Sequence, residues 1–279
     1  MFNKLRLKEF LSEYKKSFLS TQWNDEKYKW EAVKCFQENW NVNSDNFAEM
    51  LEKSLSKTKN LLASVNNFPA GMITKFAETA CEEVRAMFIG LYDENKDVYE
   101  RIRIFRRKSD ILLEKYGNGA AKHYQNENAI STYLWLKYPD KYYIYKPGEV
   151  KIVSDCLESS YVFKKGSASS FVLSYNIHNF FQFYNEICAE LNQDMELKNL
   201  LASQITENCY PDTELKTLTV DVGFFISKCT DKKRFSTKSE KLNKDSKSEN
   251  NEIIIPSEKQ NNEYKKEDFL KEVYMTEAE

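Results

Sequence analysis

Residues 121–147 read AKHYQNENAISTYLWLKYPDKYYIYKP. Upstream of this stretch the apolar residues recur at helical spacing, and Asn126 to Lys137 carries one last compact helical pattern. Tyr138-Pro139-Asp140 then stops it. Pro139 fixes its own φ and pushes Tyr138 away from the helical region. The run Lys141-Tyr142-Tyr143-Ile144-Tyr145-Lys146 follows, aromatic with a lysine at each end, and such neighbours favour a strand. The expected fold class is therefore α+β, predominantly α-helical, with a small β element near residues 141–173.

Before this stretch, Leu7, Phe10, Leu11, Tyr14 and Phe18 fall at three- and four-residue steps and predict an amphipathic helix over residues 4–20. A second helix, with Asn24 or Asp25 as cap, carries Tyr28, Trp30, Val33, Phe36 and Trp40. A third starts at Ser44 or Asp45 and carries Phe47, Met50, Leu51 and Leu55. Pro69 suits the first turn of a fourth. Residues 81–116 predict two helices around Tyr92-Asp93-Glu94-Asn95, ending at Gly117-Asn118-Gly119.

After it, Pro147-Gly148 predicts a turn and Glu149 to Val153 a returning strand. Residues 154–176 stay open between sheet and helix. Phe180, Phe181, Tyr184, Ile187 and Leu191 predict a helix, and Leu197, Leu200 and Leu201 the next. Residues 217–227, TLTVDVGFFIS, form a last helix or a strand, with helix the preferred reading. Between Lys228 and Lys247 the composition turns to eight basic against three acidic residues, with Phe235 and Leu242 the large apolar ones. The expected domains are a mostly helical unit over 1–227, a disordered charged linker over 228–266 with Ile253-Ile254-Ile255 as a short sticky motif, and a segment 267–279 that opens a further, missing domain.

The 41% hydrophobic content and 14% aromatic content support a sizeable core, and only 7 Gly and 5 Pro argue against a loop-rich all-β chain. A net charge of −2 leaves any basic surface local. Six cysteines without a CxxC pair, and two histidines, make a zinc site improbable and suggest free thiols in a reducing cytoplasm. MFNKLRLKEFLSEYKKSFL lacks the apolar core of a signal peptide. No run approaches the ~18 apolar residues of a membrane span.

No catalytic motif is present: none of the glycines fits a P-loop, no G-x-S-x-G elbow occurs, and Asp155 and Glu158 stand in the wrong order and spacing with Lys164 and Lys165 for a metal-dependent nuclease. No metal ligands and no cofactor are expected. The densest basic cluster is Arg101, Arg103, Arg106, Arg107 and Lys108. Arg103, Arg106 and Arg107 share a helix face that is able to touch phosphates, unless Glu100, Asp110 and Glu114 merely balance a solvated surface. Lys141, Tyr143, Tyr145 and Lys146 form the second candidate, an aromatic and basic strand face for bases, with tyrosines packed on helices as the competing reading. His123 and His178 read as structural.

The succession Lys29-Trp30-Glu31-Ala32-Val33, Phe68-Pro69-Ala70-Gly71-Met72-Ile73, Val84-Arg85-Ala86-Met87-Phe88, Leu91-Tyr92-Asp93-Glu94 and Ala129-Ile130-Ser131-Thr132-Tyr133-Leu134, closing on Tyr138-Pro139-Asp140, resembles the N-terminal region of McrB-like AAA+ proteins of modification-dependent restriction systems. Glu267-Asp268-Phe269-Leu270-Lys271-Glu272-Val273-Tyr274-Met275 resembles the lead-in to their motor. The resemblance implies a DNA-recognition module, in some relatives for a methylated base flipped from the duplex. Its partners would be DNA, the AAA+ hexamer and an McrC-like nuclease subunit. GTP or ATP with Mg would bind only the missing motor. The alternative is a non-catalytic protein-interaction or phage-sensing adaptor of the same system.

Overall fold

The structure is a computed structural model that describes residues 1–64, 66–164 and 170–242. Helix α8 (Glu127–Lys137) is its centre. Every residue from Ala129 to Leu136 is buried, so the helix meets neighbours on all sides. Asn126 caps it, accepting from the Ala129 N–H at 3.0 Å, and Tyr138 leaves it at φ −128°. Trp135 and Tyr133 are wholly buried, each contributing about 1.5–3 kcal/mol of hydrophobic stabilisation.

Around α8 the chain lays down helices in order: α1 (Lys4–Ser17), a π-helical turn (Phe18–Gln22), α2 (Trp23–Glu26), α3 (Tyr28–Asn39), α4 (Phe47–Leu55), α5 (Pro69–Thr79), α6 (Cys81–Leu91) and α7 (Val98–Tyr116). From α3 to α7 each helix packs on the next, and α3 and α7 both pack on α8. Pro69 opens α5 and Asp97 caps α7. Asn24 and Asp25 lie inside α2 rather than capping a helix, because the π turn carries α1 into α2 without a break. Asn46, not Ser44 or Asp45, caps α4.

After α8 come α9 (Pro147–Cys156), α10 (Ser170–Leu191), α11 (Met195–Ala202) and α12 (Lys216–Leu242). The expected β element near 141–173 is absent: among the described residues the sole β pairing is an isolated bridge, Ser64 with Asn67. Residues 142–146 have no regular structure, and the Tyr145 N–H donates to Ser131 Oγ at 2.9 Å instead of to a second strand. The expected returning strand is α9. Pro147 stands at its first position and Glu149 in its first turn, both favourable at a helix N-terminus. Phe171, Val172 and Leu173 fall in α10.

Residues 217–227 are helical, as the sequence leads one to expect, and lie within α12. Residues 1–235 form one compact unit. The remainder of the expected linker, the Ile253-Ile254-Ile255 motif and the 267–279 lead-in lie outside the described residues. Among the described residues no helix is long and apolar enough to cross a membrane.

Candidate functional site

The five-cation cluster divides by helical phase. Arg101, Ile102, Phe105, Ser109 and Leu112 are the buried stripe of α7. Arg101 is 3% exposed. Its guanidinium donates to the Leu91 carbonyl at 2.8 Å and to the Tyr142 hydroxyl at 2.6 Å. Tyr142 donates onward to Glu94 at 2.6 Å, and Lys141 Nζ lies 2.9 Å from the same carboxylate. Burial raises the Glu94 pKa, but the bonds from Tyr142 and Lys141 outweigh it and hold the carboxyl below its usual range. Arg101 is thus a core brace between α6, α7 and the segment after α8, not part of an outer basic face.

Arg103 and Lys108 are exposed on α7. Arg106 is 42% exposed and pairs with Glu127 at the start of α8. It edges a groove of about 410 Å³ shared with Asn67, Asp110, Lys122 and His123. Arg107 is half-buried. Lys108 and Lys115 flank a smaller groove over Ala86, Met87 and Ile111.

Tyr143 and Tyr145 are corrections to the expected base-contacting face. They are 0% and 2% exposed and present no ring to a base. Tyr143 packs edge-on to Tyr184 at 5.6 Å, and Tyr145 lies 5.0 Å from Phe180. Burial pushes the Tyr145 hydroxyl up to about 12 and the Tyr143 hydroxyl higher still. The run is aromatic because it is sandwiched between α8 and α10, not because it meets ligand. The flanking lysines do reach outward: Lys141 is 54% and Lys146 27% exposed.

His123 is held on both nitrogens. Nδ1 accepts the Gln125 N–H at 2.9 Å, so Nε2 carries the proton toward Asp110 at 3.0 Å. Neither nitrogen is left to act as a base. Among the described residues no group of three or more His, Cys, Asp or Glu side chains stands close enough to hold a metal.

The strongest electrostatic feature escaped the sequence reading. Lys29 and Asp221 are each 1% exposed and form an ion pair. Asp221 also accepts from Tyr14 at 2.7 Å and from Gln22 at 2.9 Å. Glu26 Oε2 lies 3.0 Å from Lys29 Nζ, an ionic contact without hydrogen-bond alignment. Burial by itself lowers the Lys29 pKa, but the charges of Asp221 and Glu26 outweigh it and raise the pKa above its usual value. The π turn is what aims Gln22 into this cluster.

One helical turn on, Phe224 carries three ammonium groups around its ring: Lys228 at 4.2 Å, Lys29 at 4.5 Å and Lys146 at 5.4 Å from the centroid. Glu149, with its side chain 10% exposed, lies 3.6 Å from Lys146, and burial raises its pKa. Asp221 sits in the run Val220-Asp221-Val222; a lone carboxylate among apolar neighbours was the signal that a buried partner had to exist.

Comparison with protein-family models, with curated proteins and with solved structures finds no match for this chain.

Proposed function

We propose that this chain is a non-catalytic recognition module that binds DNA by its phosphates, in an McrB-like system where a separate AAA+ motor and an McrC-like nuclease subunit do the chemistry. The observation that carries the reading is that Arg103 and Lys108 are exposed along α7, with Arg106 at the edge of a groove on the opposite flank of the helix from Lys108. Flexible cations along one helix suit a phosphate backbone. The buried tyrosines give no support to base reading, so the proposal is confined to the backbone.

The test is a duplex-binding titration over 50–200 mM salt, with methylated and plain DNA. Affinity should fall steeply with salt, and the Arg103→Glu/Lys108→Glu pair should weaken both duplexes alike. Salt-independent binding, or none, would sink the reading.

A second reading, a protein-interaction adaptor, is favoured by Ile89 and Ile111, which are 53% and 37% exposed on α6 and α7. It requires that Ile111→Asp abolish association with the motor or nuclease subunit while leaving DNA affinity unchanged.

A further inference from the structure

Along the flank of α7 that borders α6, Ile104, Lys108, Ile111 and Lys115 recur at steps of three and four and form one stripe. Glu83, Ala86, Met87 and Gly90 lie along one side of α6. Between the two helices runs a groove of about 300 Å³. Met87 and Leu112 are its buried floor. Ile111, 37% exposed, stands on the α7 rim, and Ala86 is exposed on the α6 rim.

The charges on this groove do not balance. Lys108 is exposed and enters no ion pair among the described residues. Lys115 lies 3.7 Å from Glu83, but that carboxylate already accepts the Tyr116 hydroxyl at 2.9 Å. Two ammonium groups about two helical turns apart, ~10 Å, therefore share one carboxylate beside an apolar floor. Gly90 adds an independent sign. It sits in the last turn of α6, where glycine weakens a helix, and a Cβ there would meet nothing within 4 Å. No contact inside the chain calls for a glycine. With Ala86 one turn away, it leaves the α6 backbone open to close approach from outside.

These features together select the occupant. A phosphate backbone would meet the lysines but leave the apolar floor in water. A wholly apolar helix would cover the lysines without pairing them. A second copy would bring two more lysines for one more glutamate. A helix with an apolar stripe flanked by carboxylates satisfies both floor and rim, and a third helix fits the groove between two packed ones.

We infer that the α6–α7 groove docks an amphipathic helix of a partner protein, its apolar stripe over Met87 and Leu112 and its carboxylates on Lys108 and Lys115. The inference rests on the adaptor reading above and names the chemistry of the partner. Lys108 is the residue it shares with the duplex reading.

The experiment is fluorescence anisotropy of the full chain with labelled helical peptides of about 18 residues, five turns. One carries a leucine stripe flanked by glutamates; its counterpart has lysines in their place. The glutamate peptide should bind about tenfold more tightly or better, since like charges at an interface oppose binding. Lys108→Glu/Lys115→Glu should reverse the order. Gly90→Leu should weaken the glutamate peptide without lowering the thermal midpoint seen by circular dichroism, which a purely structural role for Gly90 does not predict.

If both peptides bind alike and Ile111→Asp weakens both, the groove is merely apolar: the inference fails and the adaptor reading stands. If Ile111→Asp changes neither peptide binding nor association with the motor or nuclease subunit, both fail. A dimer in sedimentation that Ile111→Asp dissociates would give the groove to a second copy and overturn the inference. Binding to phosphatidylserine vesicles, but to neither peptide, would give it to lipid with the same result.

Discussion

Lys29 and Asp221 lie 192 positions apart in the chain and meet in the core as a fully buried ion pair. The contact joins α3 to α12, and Tyr14 brings α1 into it. Removing one member leaves the other charged in a low-dielectric interior, which typically costs about 3–5 kcal/mol. Lys29→Met should therefore destabilise by that amount in urea unfolding. Lys29→Met/Asp221→Leu should recover only part of it, because the apolar pair removes the unpaired charge but leaves Tyr14, Gln22 and Glu26 without their partners. If the double variant is no more stable than the single one, the pair does not act as a unit.

Asp212 gives a pH dependence with a definite sign. It is buried at φ +50°, and its carboxylate accepts from Trp30 at 3.1 Å, Thr217 N at 3.0 Å and Leu218 N at 2.8 Å. Burial raises its pKa to about 7 against these bonds. In the unfolded chain it titrates near ~3.9. Between those values the native state holds a proton the unfolded state has lost. Its contribution to stability is complete below about pH 4 and is lost as pH rises through 7. Urea midpoints of Asp212→Asn should show a flatter decline from pH 5 to pH 8 than wild type. The variant should also be less stable throughout, since its amide nitrogen faces N–H donors. An unchanged slope would place the titration elsewhere.

Gly223 lies against Tyr184. A Cβ at Gly223 would stand 2.5 Å from the Tyr184 hydroxyl oxygen and 3.1 Å from the ring carbon that bears it. Overpacking of this kind costs about 1–3 kcal/mol. Gly223→Ala should lower Tm by a few degrees. Tyr184→Phe alone should be neutral or stabilising, because that hydroxyl is buried without a hydrogen-bond partner. In the Tyr184→Phe background the cost of Gly223→Ala should shrink. Differential scanning calorimetry of the four proteins checks this; strictly additive effects would contradict it.

Arg101 separates core from surface in the basic cluster. Arg101→Ala should destabilise by about 2–4 kcal/mol, leaving the Leu91 carbonyl and the Tyr142–Glu94 pair without their donor. Arg101→Lys should recover little, since one ammonium cannot reproduce two guanidinium bonds in fixed directions. Anisotropy on the folded fraction should show DNA affinity unchanged in both. A loss of affinity without loss of stability would return Arg101 to the surface.

Much of the helical frame was legible in the sequence. Three- and four-residue apolar spacing marks α1, α3, α4, α6 and α7, Pro69 marks the start of α5, and Tyr138-Pro139 marks the end of α8. Those signals are local, because helix hydrogen bonds and caps join residues a few positions apart. The strand expected at 142–146 was not local. A strand exists only if another segment pairs with it, and Pro147 with Glu149 turns the nearest one into α9. Alternation gives the run two sides and leaves open whether one of them meets solvent; here Tyr142, Tyr143 and Tyr145 are all buried.

What the sequence by itself determined was where most of the helices run and which stripe each turns inward, and that no motif for nucleotide, metal or nucleophilic chemistry is present. Only the tertiary structure decided which charges face water. Arg101 and Arg103 are two positions apart on one helix, yet one braces the core and the other meets solvent. Lys29 and Lys146 flank the same ring, yet one is sealed and the other open. Burial depends on which distant helix lies over a side chain. That is fixed by packing of the whole apolar surface, which no window of the sequence contains.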